Sequence, residues 1–150
     1  MRAVLQRVSS AHVDIANERV GAIDRGILIF LGIAPHDTEA DAEWLAAKIT
    51  ALRIFDDSTD TMNLSVRDIA GGLLVISQFT LYAHTRKGTR PSWNAAARPE
   101  IAIPLYQSFI RSSASCLGRA VACGRFGANM QVSLVNDGPV TLILDSHQRD

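Results

Sequence analysis

The alternation of apolar and polar residues predicts strands along most of the chain. AHVDIA places Ala11, Val13 and Ile15 on one face of a half-exposed strand, and NERVGAI follows as a turn and a return strand. GILIFLGI at 26–33 is a continuous apolar run, typical of a strand buried on both faces. LLVISQFTLYA at 73–83 predicts another apolar strand, while MQVSLV and VTLIL predict a strand pair interrupted by the quartet at 136–139. Strands therefore dominate the expected fold.

Apolar spacing close to the helical period appears in two places. Thr38 and the acidic residues after it predict a helix start, and one face of this helix carries Trp44, Leu45, Lys48, Ile49 and Leu52. A second helix is predicted to begin near Pro104 and to end near Gly118, with a buried face of Leu105, Tyr106, Phe109, Ile110 and Leu117. The polar, turn-rich segment at 55–72 predicts a loop. Many strands and two helices favour a mixed sheet covered by helices on one side.

Composition narrows this picture to one neutral domain. A chain of 150 residues that is 47% hydrophobic can bury one good core, so we expect a single domain over 1–150. With 15 basic and 15 acidic residues, no global charge indicates a nucleic-acid or membrane partner. The sequence has no apolar run of about 18 residues and no secretory signal, which predicts a cytoplasmic protein without a membrane partner.

Metal and cofactor chemistry finds little support in the sequence. Cys116 and Cys123 are six residues apart in neither a zinc nor a redox spacing, so we expect two inert apolar side chains. The four histidines are scattered without an H-x-x-x-H pair, although histidines distant in sequence could still converge. We predict no metal and no cofactor.

The first stretch that a plain core does not explain is Ser77-Gln78-Phe79-Thr80, inside an apolar strand. A buried hydroxyl or amide costs roughly 1 to 3 kcal/mol unless it finds a partner. Alternation could turn Gln78 and Thr80 to solvent at a strand end. Alternatively, the strand ends at a pocket and offers hydroxyls and free backbone N–H groups to a reacting carbonyl.

The second stretch is basic and lies directly after that strand. Residues 69–99 contain no Asp or Glu but include Arg86, Lys87, Arg90 and Arg98, and Gly88 and Pro91 predict a loop. Trp93 could stack on a base. The loop could be merely solvated, or it could bind phosphates. Its position after the polar strand favours a polyanionic substrate.

The third stretch is Asn136-Asp137-Gly138-Pro139. A two-residue hairpin is unfavourable because Pro139 has no N–H to give to a ladder. A wide loop with a trans proline remains open. The alternative is a rigid main-chain protrusion with bare carbonyl oxygens, since X-Pro bonds adopt cis at low cost and Gly138 accepts unusual backbone angles.

SQFTL at 77–81 and NDGPVT at 136–141 resemble the two signature motifs of the D-aminoacyl-tRNA deacylase (D-tyrosyl-tRNA deacylase) family. The resemblance extends to MRAVLQRV, KGTRPSW and FGANMQVSLVNDGP, and so covers essentially the whole chain. Trp93 and Asn129 stand where the family is expected to have Phe and Asp. The fold implied is α/β of the α+β type: a mixed, largely antiparallel, barrel-like sheet covered by two main helices, in a homodimer.

The resemblance also implies an activity. The enzyme would be a hydrolase that cleaves the ester of D-aminoacyl-tRNA, and of glycyl-tRNA, and recycles the tRNA. Gly138 and Pro139, with a cis peptide between them, would form a chirality filter that reaches across the dimer and excludes L side chains. Arg86, Lys87, Arg90 and Trp93 are candidate contacts to the tRNA.

The resemblance places catalysis at Ser77, Gln78, Phe79 and Thr80. Thr80 or Ser77 could be a nucleophile if a base were adjacent, but the sequence offers no obvious base. The resemblance points instead to the backbone N–H groups of Phe79 and Thr80 as an oxyanion hole, with water attacking and the 2′-OH of the tRNA assisting. Gln78 would hold Ser77 and the ribose.

The sequence leaves three other classes of protein open. A non-catalytic module that binds the tRNA acceptor end would need the basic loop but not a stereospecific filter. An esterase acting on small molecules would not need the positive loop, and its affinity would not fall steeply with salt. A purely structural dimer module would need neither feature.

Overall fold

One long, bent strand organises the sheet in this computed structural model, which describes residues 1–149. β1 (Arg2–Ile15) pairs antiparallel with β2 (Glu18–Ile23), β3 (Gly26–Gly32) and β8 (Gln131–Asp145). Because β8 pairs with nearly all of β1, whereas β2 and β3 pair with its two halves, β2 and β3 lie on the opposite edge. β6 (Gly72–Ser77) then pairs parallel with β3, and β7 (Ala122–Cys123) pairs parallel with β6. The sheet is mixed and largely antiparallel, as predicted.

The sheet curls until its two ends nearly meet. Gly21 of β2 lies so close to β7 that a Cβ placed on it would approach the carbonyl oxygen of Cys123 to 2.9 Å. The concave interior is a small apolar cluster: Val8, Ala11, Val13, Leu28, Leu74 and Ile76. This nearly closed shape confirms the expected barrel-like sheet.

Two helices cover the other face of the sheet. α1 (Glu39–Ala51) begins after Thr38, whose N–H and hydroxyl both donate to Asp41 Oδ2, at 2.9 and 2.8 Å. α2 (Pro99–Leu117) ends at Gly118, which adopts a left-handed conformation. The main core joins both helices to the sheet, and its largest members include Leu5, Ile29, Leu45, Ile49, Phe55 and Phe109. Lys48, predicted on the apolar face of α1, is exposed.

The second helix begins earlier than predicted. Pro99, not Pro104, takes the first helical position, and Pro104 lies inside the helix. The prediction was wrong because both prolines satisfy the preference for proline at a helix start. Pro104 is tolerated because it faces solvent, where water can satisfy the carbonyl that its missing N–H leaves free.

Residues 55–72 are not entirely loop. β4 (Phe55–Asp56) and β5 (Met62–Leu64) form a small antiparallel hairpin. Asp57 stabilises its turn, because the Oδ1 atom accepts the Thr59 N–H at 2.8 Å and the Thr59 hydroxyl at 2.7 Å. These bonds, led by that of the Thr59 hydroxyl, lower the pKa of Asp57 to about 2. Within residues 1–149, no helix is both long and apolar enough to cross a membrane.

Candidate active site

A pocket of about 250 Å³ opens at the carboxyl end of β6. Its mouth carries Ser77, Gln78 and Phe79. The rest of its wall is mostly apolar and comes from β6, from β3 and the residue after it, from α2 and the segment before it, and from β8 and the segment before it: Leu31, Ile33, Ile76, Ala97, Ala102, Phe126, Gly127, Ala128, Met130 and Val132. No lining residue is an acid, a base or a histidine, so the pocket can hold a compact, largely apolar group but offers it no general base.

The polar stretch lies at the end of the strand and not within it. β6 ends at Ser77, and the Gln78 N–H makes a last bond to the Leu31 carbonyl oxygen at 2.8 Å. The chain then turns into a short 3₁₀ helix, Phe79–Tyr82. The prediction of a strand through residue 83 was therefore wrong. Its alternative, a strand that ends at a pocket, describes the structure.

The first two N–H groups of the 3₁₀ helix are available to a ligand. No acceptor among residues 1–149 takes the N–H of Phe79 or of Thr80, since the first donors of a helix have no partner inside it. The Thr80 hydroxyl accepts a hydrogen bond from the Gln78 amide, and Thr80 does not line the pocket. Main-chain donors, not ionisable side chains, are the chemistry that this pocket mouth presents.

Two aromatic rings mark the edge of the pocket nearest the basic loop. Phe79 and Trp93 meet edge to face with centroids 5.3 Å apart, and both are substantially exposed. The loop between them is closed by His84 and Ser92, which exchange backbone hydrogen bonds of 2.9 and 3.0 Å. Its exposed basic side chains pair with no acid among residues 1–149: Arg86, Lys87 and Arg90.

Gly138 and Pro139 lie away from this pocket. They belong to a bulge in the middle of β8, where Asn136 pairs with Val8 and Thr141 pairs with Gln6. The two apolar segments around the quartet are therefore successive parts of one strand, and the predicted strand pair was wrong. The Gly138-Pro139 peptide is cis and both residues are exposed. Neither lines the pocket of its own chain.

A buried arginine anchors the bulge. Arg7 is only 7% exposed, and its Nε donates to the Asp137 carbonyl oxygen at 3.2 Å, while Nη1 donates to the Ile54 carbonyl oxygen at 2.7 Å. The Asp137 carboxylate lies 3.3 Å from the same guanidinium. With its side-chain amide flipped, the Asn136 nitrogen donates hydrogen bonds to the carbonyl oxygens of Arg7 and Val140 at 3.0 and 3.2 Å. These hydrogen bonds and the ion pair therefore fix the backbone next to the exposed Gly138-Pro139 protrusion.

Two distant histidines do converge. His36, Asp37 and His147 place one potential metal ligand each within 4.8 Å of one another. However, Asp37 is already occupied: its Oδ1 accepts from the Met1 ammonium group and lies 2.8 Å from His147 Nε2, and its Oδ2 accepts the Ala34 N–H at 2.7 Å. None of the three residues lines the pocket, and the cluster is held together by the ion pair between Met1 and Asp37 and by the contact between Asp37 and His147.

Several pocket residues were missed from sequence. Ala102 lies in the first turn of α2, ahead of the helix start predicted at Pro104, and Ala97 lies just before the helix. The walls formed by Phe126 and Met130 carry no chemical signal of their own. Tyr106 supports this wall, since its ring meets Phe126 at 5.9 Å and its hydroxyl donates to the Val75 carbonyl oxygen at 2.9 Å. Burial raises the pKa of Tyr106, which keeps this hydroxyl a donor.

The fold and the pocket define a small α/β protein with a compact, largely apolar pocket beside unpaired main-chain donors at the end of a central strand. Within that class, the chain belongs to the D-Tyr-tRNA(Tyr) deacylase family, whose model matches residues 4–145. Proteins named D-aminoacyl-tRNA deacylase from Opitutus terrae and Porphyromonas gingivalis are 63% and 57% identical to it over 150 residues, which is 100% of each chain.

Two solved structures share this fold. One titled c-Myc DNA Unwinding Element Binding Protein superimposes with a TM-score of 0.89 at 39% identity, covering 97% of this chain and 98% of the other. A probable eukaryotic D-amino acid tRNA deacylase has a TM-score of 0.82 at 16% identity, covering 95% and 97%, and at that identity it supports the fold alone.

Proposed function

We propose that this protein hydrolyses the ester bond of D-aminoacyl-tRNA and releases the free D-amino acid and the tRNA. The observation that carries the proposal is the pocket at the end of β6, which no ionisable side chain lines and beside which the 3₁₀ helix begins with the unpaired N–H groups of Phe79 and Thr80. Membership of the deacylase family and full-length relatives with that name support it. An aminoacyl ester is activated to begin with, so a site of this modest kind suffices.

The proposed mechanism uses water as the nucleophile. The Phe79 and Thr80 N–H groups bind the carbonyl oxygen as it becomes negative, and such donors contribute roughly 10² to 10³ each to the rate in other acyl-transfer enzymes. Water forms a bond to the carbonyl carbon and gives up a proton, the bond to the ribose 3′ oxygen breaks, and that oxygen takes up the proton that the water loses, with help from the neighbouring 2′-OH. Ser77 and Gln78 hold the ribose end. The Thr80 hydroxyl is not the nucleophile in this proposal. It accepts a hydrogen bond from the Gln78 amide, and no hydrogen bond joins it to a basic side chain among residues 1–149.

Gly138 and Pro139 form the chirality filter in this proposal. They are exposed and do not line the pocket of their own chain, which supports an action on the pocket of a second copy. We therefore propose a homodimer in which each chain lends its bulge to the other. The backbone would occupy the space that an L side chain needs, which is discrimination by exclusion. Glycine has no side chain to exclude, so glycyl-tRNA should also be a substrate.

The loop that carries Arg86, Lys87 and Arg90 would bind the tRNA phosphates. It is exposed, free of acids and closed beside the pocket edge by the pairing of His84 with Ser92. Trp93, packed against Phe79, offers a surface on which a base of the acceptor end could stack. A substrate that combines a polyanion with a small acyl group fits both parts of this surface.

The test is to measure the hydrolysis of D-tyrosyl-tRNA and L-tyrosyl-tRNA under identical conditions, with and without the protein. Rapid loss of the D ester alone is the expected result. If both esters survive, the chain is a non-catalytic binder of the tRNA acceptor end. If both are cleaved, the activity is present but Gly138 and Pro139 are not its filter.

A further inference from the structure

A row of three residues crosses the sheet beside the 3₁₀ helix. Arg2 of β1 pairs with Gly32 of β3 on one side and with Asp145 of β8 on the other. Residues directly opposite each other in antiparallel strands direct their side chains to the same face of the sheet. The row therefore presents one empty position, one guanidinium and one carboxylate to whatever packs on that face.

The empty position at Gly32 is filled by the 3₁₀ helix and the residue before it. A Cβ on Gly32 would meet the Leu81 Cβ at 3.0 Å, the Gln78 carbonyl oxygen at 3.1 Å and the Tyr82 Cδ2 at 3.2 Å. All three distances are shorter than ordinary van der Waals contact, and one of the atoms belongs to the backbone. Any side chain at Gly32 would therefore push this segment outward by a few tenths of an ångström.

Arg2 holds the same segment from its other end. Nη1 donates to the Leu81 carbonyl oxygen at 2.9 Å, and the guanidinium lies 4.9 Å from the centre of the Tyr82 ring. Asp145 orients it by accepting from both Nε and Nη2 at 3.1 Å. Burial alone would raise the pKa of Asp145, but the His147 N–H and the guanidinium hold it below its ordinary value, so the carboxylate stays charged.

We propose that Gly32 and Arg2 are positioning residues that set where the Phe79 and Thr80 N–H groups stand at the pocket mouth. This inference rests on the proposed function of those two donors. Neither Gly32 nor Arg2 lines the pocket, so neither touches the acyl group that we place there. They act through the 3₁₀ helix, which Gly32 admits close to the sheet and which Arg2 ties to it. An oxyanion hole depends on such support because misplacing its donors by about 1 Å can cost roughly 10²-fold in rate.

A positioning role has a kinetic signature that a general loss of stability lacks. The donors act on charge that develops in the transition state, so their displacement lowers kcat and leaves KM, which reports the binding of the tRNA, nearly unchanged. For Gly32→Ala we expect kcat for D-tyrosyl-tRNA to fall about tenfold or more, with KM within about threefold of wild type. Arg2→Met should behave in the same way, and Arg2→Lys should recover part of the loss because an ammonium can still donate to the Leu81 carbonyl.

Matched controls come from the same chain. Gly71 is as crowded as Gly32, with neighbours at 2.9 to 3.0 Å, but it precedes β6 at the end remote from the pocket. Gly71→Ala therefore introduces similar strain without touching the 3₁₀ helix. For Arg2→Met the control is Arg19→Met, which removes an exposed ion pair to Asp14 on the same sheet. Both control variants should keep the wild-type kcat once the folded fraction has been determined by circular dichroism.

The outcomes separate the two levels of the argument. If the wild-type protein does not hydrolyse the D ester, the proposed function fails. If the wild type is active and both Gly32→Ala and Arg2→Met keep its kcat within twofold, the positioning role is refuted. An equal fall of kcat in Gly71→Ala would also refute it, since strain of any kind would then suffice. Should Gly32→Ala fail to fold, Arg2→Met and Arg2→Lys decide the question by themselves.

Discussion

Replacing Arg7 with methionine removes the anchor of the Gly138-Pro139 bulge while keeping an apolar stem of similar length. The side chain is 7% exposed and donates to two backbone carbonyl oxygens, those of Ile54 and Asp137. Two carboxylates, of Asp56 and Asp137, lie 3.4 and 3.3 Å from it, and their side chains are 40% and 43% exposed. The substitution therefore affects stability and the proposed chirality filter together.

The carbonyl bonds account for most of the expected loss. A hydrogen bond from a charged donor contributes about 1.5 to 3 kcal/mol, and the Ile54 carbonyl would be left buried without a partner. The two ion pairs add little, because their carboxylates are partly in water. Since methionine restores some apolar packing, we expect the free energy of unfolding to fall by about 3 to 5 kcal/mol. For a domain of this size, that corresponds to a fall in Tm of about 10 °C.

Urea unfolding followed by circular dichroism measures the first effect, and the ratio of rates on D- and L-tyrosyl-tRNA measures the second. Arg7→Lys should lose less stability than Arg7→Met, because lysine keeps a charge and can reach one carbonyl, but it cannot span both. Arg19→Met, which breaks an exposed pair, should cost less than about 1 kcal/mol. An Arg7→Met protein that loses no more than this control, with its D-to-L rate ratio unchanged, would show that the bulge does not depend on Arg7.

Three other predictions follow from the same geometry. Thr80→Ala should keep activity within about tenfold of wild type because its N–H survives, whereas a loss of about a thousandfold in single-turnover hydrolysis would identify a nucleophile. Gly138→Ala should destabilise the protein by about 1 to 3 kcal/mol in urea, since φ is +116° and a Cβ would lie 2.7 Å from Arg7 Nη2; unchanged stability would contradict this. Replacing the three loop cations, Arg86, Lys87 and Arg90, should raise KM for charged tRNA and flatten its dependence on salt, with kcat retained. An unaltered salt slope would show that the phosphates bind elsewhere.

Patterns that depend on a single element could be predicted from sequence. β3 is a continuous apolar run, and α1 carries its own start signal in Thr38 and Asp41, so the sequence predicted both elements close to their observed bounds. The end of β6 could not be placed in this way. Phe79, Thr80 and Tyr82 have strand-like propensities, yet residues 79–82 form a 3₁₀ helix that packs against Gly32 and accepts a hydrogen bond from Arg2. These two contacts join residues about 50 and 80 positions apart, beyond the reach of any local pattern.

The quartet at 136–139 shows the same limit in another form. Its composition excluded a tight hairpin, and the structure confirms that exclusion. Local chemistry could not show that the chain continues in the same direction, because that depends on β1 pairing with both halves of β8. Similarly, local residue patterns gave no sign that the bulge and the pocket lie apart in one chain, and only the family resemblance, which implies a filter that reaches across a dimer, indicated it. That separation is what makes a second copy necessary to the proposed filter.

β1 connects both halves of the proposed site. Arg2, near its start, ties down the 3₁₀ helix that carries the Phe79 and Thr80 donors, and Arg7 holds the bulge that carries Gly138 and Pro139. In the proposed dimer the donors of one copy face the bulge of the other, so the width of the gap between them depends on β1 of both copies. A strand paired along both edges deforms little, which would give the gap in the proposed dimer a fixed width although exposed main chain bounds it. Discrimination between D and L esters is therefore expected to come from the sheet, and a substitution that loosens either arginine should weaken it without changing a residue that touches the substrate.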